Sequence, residues 1–190
     1  MLTGRSASAH GVVANNYALA TDMPTYAHVL RTAGYRTGGF GKFHQTPMQW
    51  APPMNLDHLG FDEAVVSEDP KWGPYMDWVR AAHPDQYDAA LAMADSHAGH
   101  QGPSPSAEAA KGASAAQISR RRIAYEELLQ SRIAESEWER MYASPISPEA
   151  HDTTFITEMA LDFVERQTPG RPFLCHVSYV DPHDPYDPPA

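Results

Sequence analysis

The run "PFLCHVSYV", residues 172–180, restricts the fold more than any other stretch of this chain. It is apolar or β-branched almost throughout and has the length of a strand. A strand facing water on one side alternates polar and apolar residues, so an unbroken run predicts a strand covered on both faces in an α/β sheet. Before it, residues 149–167 place Phe155, Ile156, Met159, Phe163 and Val164 at helical spacing, and "TPGRP" then ends the helix. The same order occurs earlier, in "DMPTYAHVLRTAGYRTGGFGK". Asp22 is a candidate cap, Pro24 suits a first turn, Tyr26, Val29 and Leu30 form the expected buried face, and Gly34 suits the terminating position. A strand is predicted near Tyr35–Phe40, where Gly38, Gly39 and Gly41 let backbone or ligand come close. Helix, strand, helix, strand predicts a layered α/β fold with a parallel core.

The rest of the chain is less regular. Seventeen prolines, in clusters, mean that much of the 190 residues must be loop. "PYMDWVRAAHPD" predicts a short helix, and Gln117 to about Tyr142 a surface helix with Ile118, Tyr125, Leu129 and Ile133 on one face. Residues 95–116, rich in Ala, Ser, Gly and Pro without periodicity, read as a flexible insertion or linker. The length fits one domain, 1–190, with no internal repeat. A net charge of -10 argues against a nucleic-acid partner, which needs concentrated Lys and Arg, and Arg120, Arg121 and Arg122 read as a solvated helix face. No run reaches the ~18–20 apolar residues of a membrane helix. The start, "MLTGRSASAHGV", lacks a signal peptide's apolar core, so what is present points to a cytoplasmic protein with no membrane partner.

Ligands of parallel α/β sheets sit outside the carboxyl ends of the strands. Lys42 and His44 follow the first predicted strand at that end and His183 follows the other; if the two strands share a sheet, three groups converge on one rim. Lysine, with a reference pKa of ~10.4, is an ammonium at neutral pH, and histidine near ~6.5 carries or passes a proton. Together they suit a cradle for a tetrahedral oxyanion, with Lys42 as fixed charge and the histidines as donors to its oxygens or to a leaving group. The K-x-H spacing alone is a weak signal and also fits a structural or surface pair.

The whole pattern says more. "LTGR…HGV…N", "AGYRTGGFGKFH", "HLGFDEAV" and "PFLCHVSYVDPHDPYDPP" occur in this order, and together they resemble the sulfatase family of the alkaline phosphatase superfamily, over nearly the whole chain apart from 95–116. The resemblance implies a three-layer α/β sandwich with a mostly parallel central sheet, incomplete in this chain. It implies that Lys42 and His44 hold the sulfate and a modified nucleophile, and that His183 contacts the sulfate ester and is placed to assist the leaving group. By the same resemblance Arg5 supports the nucleophile's helix, with His10 and Asn16 in the same region near the site. A small-molecule or carbohydrate sulfate ester is the implied partner, and calcium or another divalent cation the implied cofactor.

The departures from the family pattern are equally informative. Members carry C-x-P-S-R or S-x-P-S-R shortly before "LTGR", with its Cys or Ser converted to formylglycine, and an Asp pair upstream that binds the metal. Neither feature occurs in these 190 residues, nor do the family's later metal ligands and second lysine. The expectation is the inner part of a sulfatase, inactive alone, with no metal ligand assigned. A phosphonate monoester or phosphodiester hydrolase of the same superfamily is the alternative, and a non-catalytic relative that keeps an anion cradle is another. Cys175, the single cysteine, excludes an internal disulfide and is expected to pack as a small hydrophobe in its strand. Asp181, Asp184 and Asp187 lack the alternation and central glycine of an EF-hand and read as a solvated acidic loop, with Asp184 or Tyr186 able to line a substrate mouth. Asp95, His97 and His100 fall in the low-complexity stretch, where no rigid element fixes ligand geometry.

Overall fold

The structure, a computed structural model, describes residues 2–14, 17–44, 56–69, 71, 73–98, 113–131, 141, 143–183 and 186–189, with backbone alone at 95–98 and 129. Along the chain run α1 (Ala7–His10), α2 (Tyr26–Thr32), β1 (Arg36–Gly41), β2 (Glu63–Val66), α3 (Pro74–Ala82), α4 (Tyr87–Ala98), α5 (Ala115–Gln130), α6 (Asp152–Glu165) and β3 (Phe173–Ser178). They fall into two compact units, one of Met1–Glu68 with Ile156–Tyr179, the other of Asp69–Phe155 with Val180–Ala190.

The first unit holds the sheet, in the order β2-β1-β3 with both pairings parallel. The α/β class with a parallel sheet is thus as expected, but the covered strand is a different one. β1 is buried from Thr37 to Gly41, whereas β3 leaves Phe173 41% and Val177 37% exposed. The glycines explain this. A Cβ on Gly38 would lie 2.8 Å from the Phe163 ring and one on Gly39 2.7 Å from the Phe43 ring, so both faces of β1 admit aromatic rings of the protein itself. Gly41, at φ +98°, has no room for a side chain against the Ser178 carbonyl, and only glycine adopts that backbone at little cost.

Helix α2 is capped by Thr25, not Asp22. The Thr25 hydroxyl accepts the His28 amide at 3.4 Å and donates to the Leu59 carbonyl at 2.6 Å, so one buried side chain starts the helix and ties it to the chain ahead of β2. The buried residue of α2 is Ala27, clustered with Leu59, Phe61 and Phe43, while Val29 is exposed and Tyr26 and Leu30 only half-buried. Periodicity weighted toward large residues overlooks a small one that lets the helix backbone lie close. Thr37, fully buried, joins β1 to the approach of β2: its amide donates to Asp62 Oδ2 at 2.9 Å and its hydroxyl to the Gly60 carbonyl at 3.0 Å. Helix α6 buries Ile156 and Phe163 as expected, the latter 5.4 Å from the Phe40 ring, but Val164 is exposed.

The second unit is mainly helical. Pro74 occupies the first turn of α3, which buries Tyr75, Met76 and Val79. Helix α4, absent from the sequence expectations, buries Leu91 and Met93. Helix α5 buries Leu128 and exposes Ile118 and Tyr125, the reverse of the expected face; the Leu129 side chain and Ile133 lie outside the described residues. Arg120 and Arg121 reach Asp88 of α4 at 3.2 and 3.0 Å; Arg120 and Arg122 are exposed as expected, whereas Arg121 is only 10% exposed and joins the two helices. Of the expected insertion, 95–98 and 115–116 fall in α4 and α5, and 99–112 lie outside the described residues. Among the described residues no helix is long and apolar enough to cross a membrane.

Candidate active site

The chain leaves the sheet at the carboxyl end of β1, where the Lys42 amide donates to the Ser178 carbonyl at 2.8 Å and the Ser67 amide to the Gly41 carbonyl at 3.0 Å. Lys42 and His44 are half-buried, while Phe43 between them turns inward, 5.4 Å from the Phe61 ring. His44 adopts φ +53°, a left-handed conformation uncommon for a residue with a side chain. Glu68 holds it there. This carboxylate, 5% exposed, accepts the Phe43 amide at 2.9 Å and the His44 amide at 3.0 Å on Oε1, and its Oε2 lies 3.7 Å from His44 Nε2. The segment after the adjacent parallel strand thus delivers an acid that fixes the backbone of the turn and lies near its ring. Sequence reasoning missed Glu68; its one signal is an acid just past the apolar strand "EAVV" that neighbours β1.

His183 belongs to the second unit. Its amide donates to the Val180 carbonyl at 3.1 Å, and its Nε2 lies 3.9 Å from Asp69 Oδ2. In the same unit His151, Asp152 and Asp181 bring three ligand atoms within 4.8 Å of one another. They do not fit a metal ion, because Lys71 Nζ, fully buried, lies 3.0 Å from Asp152 Oδ1 and already supplies a cation. Burial alone would lower the Lys71 pKa, but the charges of Asp152, then Asp187 and Asp181, outweigh it and hold the pKa above its ordinary value. This also corrects the expectation of a solvated acidic loop: Asp187 is buried, its charge among those that raise the Lys71 pKa, and Asp184 lies outside the described residues.

The remaining candidates are placed as follows. Arg5 is exposed ahead of α1, its amide donating to Thr3 Oγ1 at 3.2 Å. His10 Nδ1 accepts the Val12 amide at 3.1 Å, and Asn16 lies outside the described residues. Cys175 sits opposite Gly38 in the sheet, and burial pushes its thiol up, away from the thiolate a nucleophile needs. Asp95 and His97 lie on α4 with their side chains undescribed, and His100 lies outside.

A profile of the sulfatase family matches residues 1–190. The chain belongs to the sulfatase family. It is 41% identical over 39 residues to an arylsulfatase of Clostridium perfringens, a stretch that is 20% of this chain and 8% of that protein. Its backbone is similar to that of the phosphonate monoester hydrolase of Agrobacterium radiobacter, with a TM-score of 0.57 and 19% identity over 99% of this chain and 31% of the other. The phosphonate monoester hydrolase SpPMH from Silicibacter pomeroyi gives 0.56 and 20% over 100% of this chain and 32% of that one. This chain therefore spans about a third of the length of these solved relatives. At such identities the likeness is one of fold.

Proposed function

We propose that this sulfatase-family chain forms the anion-binding part of an enzyme that hydrolyses a sulfate ester to an alcohol and sulfate. The observation that carries the reading is the Lys42–His44 turn, fixed by buried Glu68 at the carboxyl end of a parallel sheet. Lys42 offsets the charge of the sulfate and His44 donates to one of its oxygens. As the nucleophile's oxygen bonds to sulfur, the ester S–O bond breaks, its electron pair goes to the leaving oxygen, and His183 delivers a proton there. The role of His183 rests on its P-H-x-P motif and that of Arg5, as support for the nucleophile's helix, on "TGR". The nucleophile in this reading is a formylglycine and the cofactor calcium or another divalent cation; neither is assigned to a residue of this chain. A small-molecule or carbohydrate sulfate ester is the substrate class.

A second reading, phosphonate monoester hydrolysis, is supported by the names of the two solved neighbours. Rates on 4-nitrophenyl sulfate and 4-nitrophenyl phenylphosphonate, measured on the full protein that carries these residues, separate the two. The expected result is a preference for the sulfate of at least about tenfold, with Lys42→Ala costing about 10²–10³ in kcat. The 190 residues alone should turn over neither ester. A preference for the phosphonate ester would replace the first reading with the second, and no turnover of either by the full protein would leave a non-catalytic relative.

A further inference from the structure

Lys71 is a buried ammonium that the proposed chemistry does not use. It is 1% exposed, at φ +53°, with Nζ 3.0 Å from Asp152 Oδ1 at the start of α6. From Asp152 the link to the loop that carries His183 runs through the next residue, Thr153. Its amide donates to His151 Nδ1 at 3.3 Å, and that nitrogen lies 3.1 Å from Asp152 Oδ1 and 3.8 Å from Asp181 Oδ2. Thr153 Oγ1 donates to that Asp181 oxygen at 2.6 Å. Asp181 stands two residues before His183, and beyond His183 the chain is fastened again. Tyr186 forms a bridge with Met141, Asp187 is buried, and the Ser144 amide donates to the Pro188 carbonyl at 3.0 Å.

An ammonium taken out of water costs several kcal/mol unless it is paired, so a lysine in this place needs the carboxylates around it. Those carboxylates bracket one histidine in sequence. We propose that Lys71 is a positioning residue that, through Asp152 and the adjacent Thr153–Asp181 hydrogen bond, fixes the chain at Asp181, two residues before His183, and so limits the motion of His183. The purpose of this device rests on the reading of His183 as the proton donor; the geometry does not. A plain stabilising pair would act on the unit as a whole, whereas this device acts on the loop and the ring.

The test is nuclear magnetic resonance on the 190-residue chain in a Val177→Lys background, which opposes association through β3, reading His183 amide exchange and ring relaxation, with the amides of β1 as internal reference. Lys71→Met alone removes the cation beside buried Asp152 and can unfold the second unit. The variant pair Lys71→Met with Asp152→Asn removes both charges together, and Asp181→Ala leaves the Lys71–Asp152 pair in place while removing the acceptor of the Thr153 hydroxyl. In both, His183 amide exchange should rise about tenfold or more and the ring order parameter fall below about 0.6, with β1 exchange unchanged. A folded double variant in which His183 exchanges and relaxes as in the parent overturns the proposal. If the double variant does not fold, Asp181→Ala decides, and an unchanged His183 in it overturns the proposal equally. Absence of sulfate-ester turnover by the full protein, with the His183 response intact, would refute the functional reading and leave the role of Lys71 standing.

Discussion

Glu68 accepts two amides of the Lys42–His44 turn on one oxygen and faces the His44 ring with the other. A hydrogen bond to a charged group contributes about 1.5–3 kcal/mol, and a buried amide left without an acceptor costs a similar amount. Glu68→Ala is therefore expected to destabilise the chain by roughly 3 kcal/mol and release His44 from its left-handed backbone. Glu68→Gln keeps an oxygen for the amides and should lose far less. Inorganic sulfate, followed through the His44 ring resonance, should bind Glu68→Ala about tenfold more weakly than the parent, a difference of about 1.4 kcal/mol. Equal affinity in Glu68→Ala and the parent would remove Glu68 from the site. Lys42 and His44 stand out in the sequence as candidates because a cation and an imidazole past a glycine-rich strand carry their chemistry in their own side chains. Glu68 and Lys71 were not. An acid in "SEDP" or a lysine in "PKWG" looks like ordinary turn composition until the groups it faces are known.

At the scale of elements, the helix–strand order was readable twice over, but the burial of each strand was not. Hydrophobicity marks β3 and passes over β1, because the packing of β1 comes from rings of α6 and of the turn that fill the spaces beside Gly38 and Gly39. Face assignments failed in α2 and α5 for a related reason: the partner surface, here Leu59 for Ala27 and α4 for Arg121, decides which side turns inward. β3 also carries a titrating contact. His176 Nδ1 lies 2.7 Å from the Tyr26 hydroxyl, with the Phe43 and Phe61 rings 5.5 and 5.9 Å away, and burial pushes its pKa down. The folded state therefore takes up a proton at His176 less readily than the unfolded chain. Its contribution is complete above the unfolded pKa of ~6.5 and is lost as pH falls toward the folded pKa. His28 is lowered as well, first by burial and then by Arg31 and His58, and adds in the same direction. Melting temperature should fall between about pH 7 and pH 5, and His176→Phe should flatten that dependence while lowering the plateau through loss of the Tyr26 partner. An equal slope in His176→Phe would show that the acid sensitivity lies elsewhere.

For the whole molecule, the order of four short blocks along the chain was enough to indicate the family, while the division into two units was not readable. Its boundaries fall between Glu68 and Asp69 and between Tyr179 and Val180, each beside a proline-rich stretch that reads as an ordinary loop, and inside α6 between Phe155 and Ile156, where composition does not change. What the sequence could not show about β3 has a consequence at this scale. Phe173, Val177 and Tyr179 alternate along the chain and so share one face, and they are 41%, 37% and 42% exposed. Among the described residues β3 pairs with β1 alone, so its outer backbone edge adjoins an apolar stripe. An open edge beside exposed apolar side chains is a template for pairing with another copy, and a lysine placed on such a strand opposes it. The 190-residue chain should therefore self-associate at concentrations on the order of tens of micromolar, and Val177→Lys should shift it toward monomer. Sedimentation velocity reads both outcomes directly. A single monomeric boundary for the parent, with a cooperative melt, would mean that residues beyond those described cover the strand, and the Val177→Lys substitution would then leave the boundary where it was.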